Sequence, residues 1–122
     1  MRYVLIADDD PDIRQLVSLT LDSSTYAILQ AEDGDQAWEL IVRYQPTVAV
    51  LDVGMPGQGG LELAQAIRRA PALSGMKVIL LTAFTGEHSV EAGLRAGADH
   101  YLAKPFSPLQ LMTLVNRAVE EA

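Results

Sequence analysis

The chain has no cysteine and has few basic residues for its length. Its 122 residues include 9 Lys or Arg against 16 Asp or Glu, which gives a formal net charge of −7. Without cysteine there is no disulfide and no thiolate chemistry, and this absence fits a reducing compartment. Nucleic-acid backbones and anionic lipid surfaces bind clusters of Lys and Arg. We therefore expect no direct nucleic-acid contact and no binding to a membrane surface.

Long apolar stretches are also missing. No segment is long enough to cross a bilayer. The first apolar run, residues 3–7, is too short for a secretory signal and is followed directly by acidic residues. We therefore expect the cytoplasm as the compartment. The length and the apolar content fit one domain over residues 1–122.

Short apolar runs alternate with segments in which apolar residues recur at helical spacing. Runs that are apolar throughout are typical of strands covered on both faces. The predicted strands are residues 3–7, 26–31, 47–51, 78–82 and 100–103. Five helices fill the intervals and the C-terminal end, and Pro11 and Pro108 suit first-turn positions after the caps Asp10 and Ser107. The pattern predicts a flavodoxin-like α/β fold, a doubly wound five-stranded parallel sheet of order 2-1-3-4-5 flanked by five helices.

Polar side chains follow four of the predicted strands at the point where each strand ends. The acids Asp8 and Asp9 follow the first strand and Asp52 follows the third, while Thr82 and Lys104 close the fourth and fifth. In a parallel sheet these ends share one edge, and ligands bind there in the crevice between strands one and three. Carboxylates crowded at this edge repel one another unless a cation lies among them. The sequence therefore predicts a metal site.

Over essentially its whole length the chain resembles a receiver domain of bacterial two-component response regulators. The resemblance is carried by four motifs in order along the chain. They are Asp8-Asp9 after strand one, Asp52 with Met55-Pro56-Gly57 after strand three, Thr82-Ala83 after strand four, and Lys104-Pro105-Phe106 after strand five. Together these motifs are specific, whereas each alone is weak.

The resemblance implies a role for each site residue. Asp52 would be the phosphoacceptor, a carboxylate nucleophile that forms an acyl phosphate. Mg²⁺, a hard cation that prefers oxygen ligands, would be bound by Asp9, Asp52 and the Gly54 backbone carbonyl directly and by Asp8 through water. Lys104 would place its charge on a phosphoryl oxygen. The phosphoryl group would come from a sensor histidine kinase or a phosphotransfer protein.

The resemblance also implies a conformational switch. The Thr82 hydroxyl would bond a phosphoryl oxygen, and Tyr101 would then pack inward. The surface of helix four, strand five and helix five, residues 87–97 and 101–118, would change and bind an output protein or a fused effector domain. The family further suggests a cis Lys104–Pro105 peptide. The fifth helix carries the apolar residues Leu109, Leu111, Met112 and Leu114, and they predict that its exposed side is a sticky partner surface.

Two other functions stay open at this point. One is a constitutive pseudo-receiver, an interaction module whose pocket is structural. The other is a Mg²⁺-dependent phosphatase of the haloacid dehalogenase kind, although that resemblance requires a second aspartate where Gly54 stands. A receiver would be no enzyme beyond its own phosphorylation and dephosphorylation.

Two segments have ordinary structural interpretations. The pair Arg68-Arg69 is expected to be a solvated helix end. The glycines at positions 54, 57, 59 and 60 lack the Lys-Ser/Thr ending of a phosphate-binding loop, so we expect a flexible turn there.

Overall fold

A computed structural model describes residues 2–20, 26–83, 91–93 and 95–122. Five parallel strands form one sheet in the order β2-β1-β3-β4-β5. The strands are β1 (Arg2–Ala7), β2 (Tyr26–Ala31), β3 (Val48–Asp52), β4 (Lys77–Thr82) and β5 (His100–Ala103). The predicted sheet and its strand order are confirmed, and each strand bound lies within one residue of the expected one.

Helices flank both faces of the sheet. They are α1 (Pro11–Thr20), α2 (Gly34–Tyr44), α3 (Gly60–Arg69) and the C-terminal helix α5 (Pro108–Glu121). Residues 91–93 and 95 are also helical, and we name this segment α4. A short 3₁₀ helix, Pro71–Leu73, follows α3. Val90 and Leu94, on which the prediction of the fourth helix depended, lie outside the described residues.

The core has one layer on each face of the sheet. Because successive strand residues point to opposite faces, each continuously apolar strand supplies both layers. The α2–α3 layer includes Leu5, Ile41, Leu51, Leu63, Ile67 and Leu80. The α1–α5 layer includes Ile6, Val17, Val50, Ile79, Leu111 and Val115. Burial of each such side chain contributes about 1.5–3 kcal/mol. The two layers hold the central strands rigidly, and with them the residues at the strand ends.

The predicted helix caps are present. Asp10 accepts a hydrogen bond from the Asp12 amide on Oδ1 at 2.9 Å, so α1 begins directly after the acidic pair. Ser107 and Gln110 form a reciprocal capping box, with Ser107 Oγ accepting from the Gln110 amide at 3.1 Å and Gln110 Oε1 accepting from the Ser107 amide at 2.8 Å. These caps fix the residues at which α1 and α5 begin, and therefore where the loops that follow β1 and β5 end. Asp10 thus belongs to α1 and leaves Asp8 and Asp9 as the pair at the edge.

The expectation of a solvated end for α3 is wrong for Arg68. Its guanidinium donates to the backbone carbonyls of Gly97, Ser74 and Met76 at 2.8, 3.1 and 2.6 Å. It also donates to Asp99 Oδ2 at 2.6 Å. The planar fork of arginine can bond several acceptors at once, so one side chain ties α3 to the segments before β4 and β5. Arg69 is exposed, as expected.

The expectation of a flexible turn after β3 is corrected at Gly59 and Gly60, which are buried and closely packed, whereas Gly54 and Gly57 are exposed residues of the turn. A Cβ at Gly59 would lie 2.6 Å from the Val53 carbonyl oxygen, and one at Gly60 would lie 2.9 Å from the Asp52 carbonyl oxygen. The Gly34 amide at the start of α2 donates to the Pro56 carbonyl at 3.1 Å. Glycine is therefore needed here for close backbone packing.

Candidate functional site

The strand register brings the polar strand ends to one edge. Ala7 pairs with Leu51, so Asp8 and Asp52 are the next residues on neighbouring strands. Asp52 pairs with Leu81, which places Thr82 one residue further along β4. Thr82 in turn pairs with Ala103, the residue before Lys104. Four crossover connections separate Asp8 from Lys104 in sequence, and the strand order of the sheet brings their strand ends to the same edge.

Three carboxylates form a cluster between β1 and β3. Asp8, Asp9 and Asp52 each offer an oxygen, and these oxygens lie within 4.8 Å of one another. Asp8 and Asp52 are buried and Asp9 is exposed. The cluster therefore opens to solvent at Asp9 and is closed behind by the sheet, a geometry that a small ion can enter from one side.

Asp8 is held tightly. Its amide donates to the Ala31 carbonyl of β2 at 3.1 Å, and its Oδ1 accepts from the Asp10 amide at 3.0 Å. Its backbone carbonyl accepts from Arg14 Nη1 at 2.7 Å. The remaining oxygen, Oδ2, is buried and faces the Lys104 ammonium. A buried carboxylate oxygen needs such a cationic partner, because burial removes its hydration.

Lys104 contacts two of the three carboxylates of the cluster. Its Nζ is 2.8 Å from Asp8 Oδ2 and 3.5 Å from Asp52 Oδ1. The contact with Asp8 is a short ion pair to a buried oxygen. Burial acts to lower the pKa of Lys104, but the adjoining Asp8 and Asp52 carboxylates outweigh it and the net pKa is raised. Lys104 is therefore firmly positive.

The ionised form of Asp52 remains unfavourable even with Lys104 close to it. Burial raises the pKa of Asp52 most, and the charge of Asp8 raises it further. The Gly54 amide, 3.2 Å from Oδ1, and Lys104 both lower it. The net pKa is raised. The ionised carboxylate of Asp52 is thus disfavoured in the folded chain, because burial removes its hydration and the charge of Asp8 lies close by.

These observations meet the requirements of a hard divalent cation. Three carboxylates offer oxygens within 4.8 Å of one another, and Lys104 sets one positive charge against two of them. Mg²⁺ binds one or two carboxylates and keeps several waters, which suits a pocket open on the side of Asp9. The exposed Gly54 contributes its amide to Asp52, and its carbonyl lies in the same loop. The donor set fits Mg²⁺.

Thr82 and Tyr101 lie on the β4–β5 side of the edge. Thr82 is buried, and its backbone carbonyl accepts from the Lys104 amide at 2.7 Å. Lys104–Pro105 is a cis peptide, as the resemblance implied. Tyr101 is half-buried against the core, and a Cβ at Gly93 of α4 would lie only 3.3 Å from its ring. The tyrosine ring is thus in contact with α4.

The expected partner surface is only partly described. Residues 84–90 and 94 lie outside the described residues, so the predicted surface over 87–97 is seen only at 91–93 and 95–97. On the β5–α5 side a groove of about 460 Å³ is present. It is lined by Tyr101, Leu102, Leu109, Gln110, Thr113 and Leu114. Leu109 is largely exposed, but Leu111 lies in the core, which corrects the expectation that it contributes to an exposed apolar side.

The sequence reasoning missed Arg14. This residue is the fourth of α1, is half-buried, and reaches back to the backbone of Asp8. A basic residue six positions after an acidic strand end was the available signal.

The fold and the pocket define an α/β protein of flavodoxin-like topology with an acidic crevice at its topological switch point. Residues 4–116 match the response regulator receiver domain family, and the chain belongs to that family.

Named relatives agree with this assignment. The chain is 38% identical over 111 residues to the phosphate regulon transcriptional regulatory protein PhoB of Pseudomonas aeruginosa, covering 91% of this chain and 48% of PhoB. It is 33% identical to the DNA-binding response regulator MtrA of Mycolicibacterium smegmatis, covering 92% and 48%. Among solved structures, chemotaxis protein CheY4 of Vibrio cholerae superposes with a TM-score of 0.88 at 33% identity, covering 97% of this chain and 98% of that one.

The chain spans about half the length of PhoB and MtrA. Among the helices that the structure describes, none is both long enough and apolar enough to cross a bilayer.

Proposed function

We propose that residues 1–122 form a phosphorylation-activated receiver domain of a two-component phosphorelay. Asp52 would accept a phosphoryl group from a histidine kinase or a phosphotransfer protein, in the cytoplasm. The observation that carries this proposal is the cluster of three acids with Lys104 in contact with two of them, in which burial and the charge of Asp8 disfavour the ionised form of Asp52. Phosphoryl transfer to a carboxylate needs that arrangement, because the nucleophile and the incoming group are both anionic.

The metal would be Mg²⁺. Asp9, Asp52 and the Gly54 carbonyl would hold it directly, and Asp8 would act through a water. When bound, it would neutralise the carboxylates and the phosphoryl oxygens, which is the main contribution of metals in phosphoryl transfer.

The protein side chains would divide the remaining work. One Asp52 carboxylate oxygen would attack phosphorus, the bond from phosphorus to the donor histidine nitrogen would break, and that nitrogen would retain the electron pair. Lys104 would hold a transferred phosphoryl oxygen, a short movement from its present position 3.5 Å from Asp52 Oδ1. Asp8 would keep the lysine oriented through their 2.8 Å contact. Because the product stays on the chain, this is a switch and not an enzyme acting on a separate substrate.

The switch would pass from Thr82 to Tyr101. A hydrogen bond from the Thr82 hydroxyl to a phosphoryl oxygen would contribute about 1.5–3 kcal/mol. Moving a population from mostly off to mostly on takes roughly 5.5 kcal/mol, so a second contribution is required. Inward packing of the half-buried Tyr101 ring would supply it and would change the surface over residues 87–97 and 101–118. An output protein or a fused effector domain would bind there, and this domain would make no direct nucleic-acid contact.

The pseudo-receiver is the second candidate, and a specific observation favours it. The 2.8 Å ion pair between Asp8 and Lys104 joins the end of β1 to the end of β5 through side chains of the protein itself. Such a pair could hold a constitutive pocket. The phosphatase is disfavoured because Gly54 stands where that mechanism requires a second aspartate.

Intact-protein mass spectrometry after incubation with Mg²⁺ and a small phosphodonor tests the proposal. We expect a single added phosphoryl group in the wild type and in Asp33→Asn, a matched acidic-residue control, because Asn caps α2 as well as Asp. We expect none in Asp52→Asn. No phosphoryl on the wild type would favour the pseudo-receiver, and continuous turnover of donor would favour the phosphatase.

A further inference from the structure

Arg14 makes a contact that the proposed phosphotransfer does not use. Its Nη1 donates to the backbone carbonyl of Asp8 at 2.7 Å, and the side chain is half-buried. That carbonyl belongs to the peptide that joins Asp8 to Asp9, the two acids of the cluster. A charge-assisted bond to a carbonyl is short and directional, so it fixes the plane of this peptide.

Two other hydrogen bonds hold Asp8, one to the neighbouring strand and one within the loop that follows β1. The Asp8 amide is bound by Ala31 of β2, and Asp8 Oδ1 is bound by the Asp10 amide. Arg14, six residues further along in α1, adds a third bond, to the Asp8 carbonyl. The peptide that contains this carbonyl sets the direction in which the Asp9 side chain leaves the main chain. Asp9 is exposed and is not held by burial, unlike Asp8 and Asp52.

Charge and geometry make opposite predictions for this residue. A guanidinium beside the acidic cluster repels a second cation, so its charge alone would weaken metal binding. Its hydrogen bond orders the Asp8–Asp9 peptide, which would strengthen metal binding by removing the need to order it later.

We infer that Arg14 is a positioning residue for the acidic pair. It holds the Asp8 carbonyl so that the Asp8 and Asp9 carboxylates are directed at one cation, and this ordering outweighs its repulsion of Mg²⁺. The inference rests on the proposed function, since it assumes that the cluster binds Mg²⁺.

The dissociation constant for Mg²⁺, measured by isothermal titration calorimetry without phosphodonor, tests this inference. Arg14→Met removes the charge and the donor but keeps the apolar stem, and we expect binding about 10-fold weaker, the low end for loss of a residue that orients a metal ligand. Arg14→Lys keeps a positive donor and should recover part of that loss. Arg69→Met removes an equal charge at an exposed site and should bind as the wild type does.

Failure of the inference about Arg14 can be told apart from failure of the proposed function. Equal or tighter Mg²⁺ binding by Arg14→Met overturns the inference, because it shows that charge dominates or that the bond is irrelevant. If Arg14→Met does not fold by circular dichroism, Arg14→Ala replaces it with the same expectation. A wild type that binds no Mg²⁺ overturns the proposed function together with the inference. A wild type that binds while Arg14→Met binds equally well overturns the inference alone.

Discussion

At the scale of single residues, the buried charge of Asp52 lowers the stability of the fold at the site. The residue is buried, neighbours Asp8, and has one lysine Nζ at 3.5 Å. Its pKa is raised, first by burial and further by the charge of Asp8. An acid with a raised pKa in the folded state binds its proton more tightly there than in the unfolded chain. Stability from this group is therefore lost as the pH rises through the folded pKa.

This sign predicts that Asp52→Asn stabilises the protein near neutral pH in the absence of Mg²⁺. The amide fills the same space without the charge that burial disfavours. The gain should shrink as the pH falls towards the ordinary range of aspartate, about 4, because the wild-type carboxyl is then protonated. Thermal melting of both proteins across this pH range measures the difference. A less stable Asp52→Asn at neutral pH would contradict the account.

At the scale of elements, the end of α3 is a structural junction. Arg68 bonds three carbonyls and Asp99, and Asp99 Oδ2 also accepts from the Val78 amide of β4 at 2.8 Å. Lys77 Nζ is 3.9 Å from the other oxygen of Asp99. The Gly97 carbonyl that Arg68 binds follows α4, and Gly97 has a φ of +97°, the left-handed conformation that favours glycine. One side chain thus fixes where α4 ends and β5 begins.

Arg68→Met should therefore destabilise the fold by about 2–3 kcal/mol, since hydrogen bonds to a charged group contribute about 1.5–3 kcal/mol each and are not additive. The expected loss of stability is not larger because the Arg68 side chain is 26% exposed, and solvent screens its interactions. Urea denaturation measures the free energy of unfolding. Arg69→Met, its exposed neighbour, should lie within about 0.5 kcal/mol of the wild type. Equal stability of the two variants would refute the junction.

Glycine at position 60 is a second element-level requirement. Gly60 is the first residue of α3, and a Cβ there would lie 2.9 Å from the Asp52 carbonyl oxygen and 3.1 Å from that of Leu51. Both oxygens are backbone atoms that cannot turn away. Gly60→Ala should destabilise the fold by about 1–3 kcal/mol through overpacking, although alanine is the better helix former. Gly75→Ala, with nothing within 4 Å, is the matched control for urea denaturation.

The sequence predicted the strands and the convergence of Asp8, Asp9 and Asp52 because both depend on local patterns. Continuous apolar runs mark buried parallel strands, and the topology then carries their ends to one edge. The partners of Arg68 could not be predicted, because Gly97 and Asp99 are 29 and 31 residues away and carbonyl acceptors carry no sequence signal. Gly59 and Gly60 were misread for a related reason. Glycine serves equally for a loose turn and for a close approach, and only the neighbouring backbone distinguishes them.

At the scale of the whole molecule, the two edges of the sheet differ in character. The edge where β4 and β5 begin has satisfied charges, with Arg68, Lys77 and Asp99 bonded to one another and to backbone. The edge where β1 and β3 end has three clustered carboxylates with one lysine in contact with two of them, and its buried Asp52 has a raised pKa. A protein that must bind an ion and a phosphoryl group benefits from this division, because the rigid edge maintains the fold while the other stays short of positive charge.

Mg²⁺ should therefore raise the melting temperature of the whole domain near neutral pH. A ligand that binds only the folded state stabilises it by RT ln(1 + [L]/Kd), which is about 1.4 kcal/mol at ten times Kd. For a domain of this size that corresponds to roughly 4–6 °C. The shift should shrink at acid pH, because protons compete for the carboxylates. Asp52→Asn should show a smaller shift, since one ligand charge is lost, and NaCl of equal ionic strength should not reproduce the effect. A shift of the same size in Asp52→Asn would show that the ion binds elsewhere, and the charge deficit at this edge would then need another explanation.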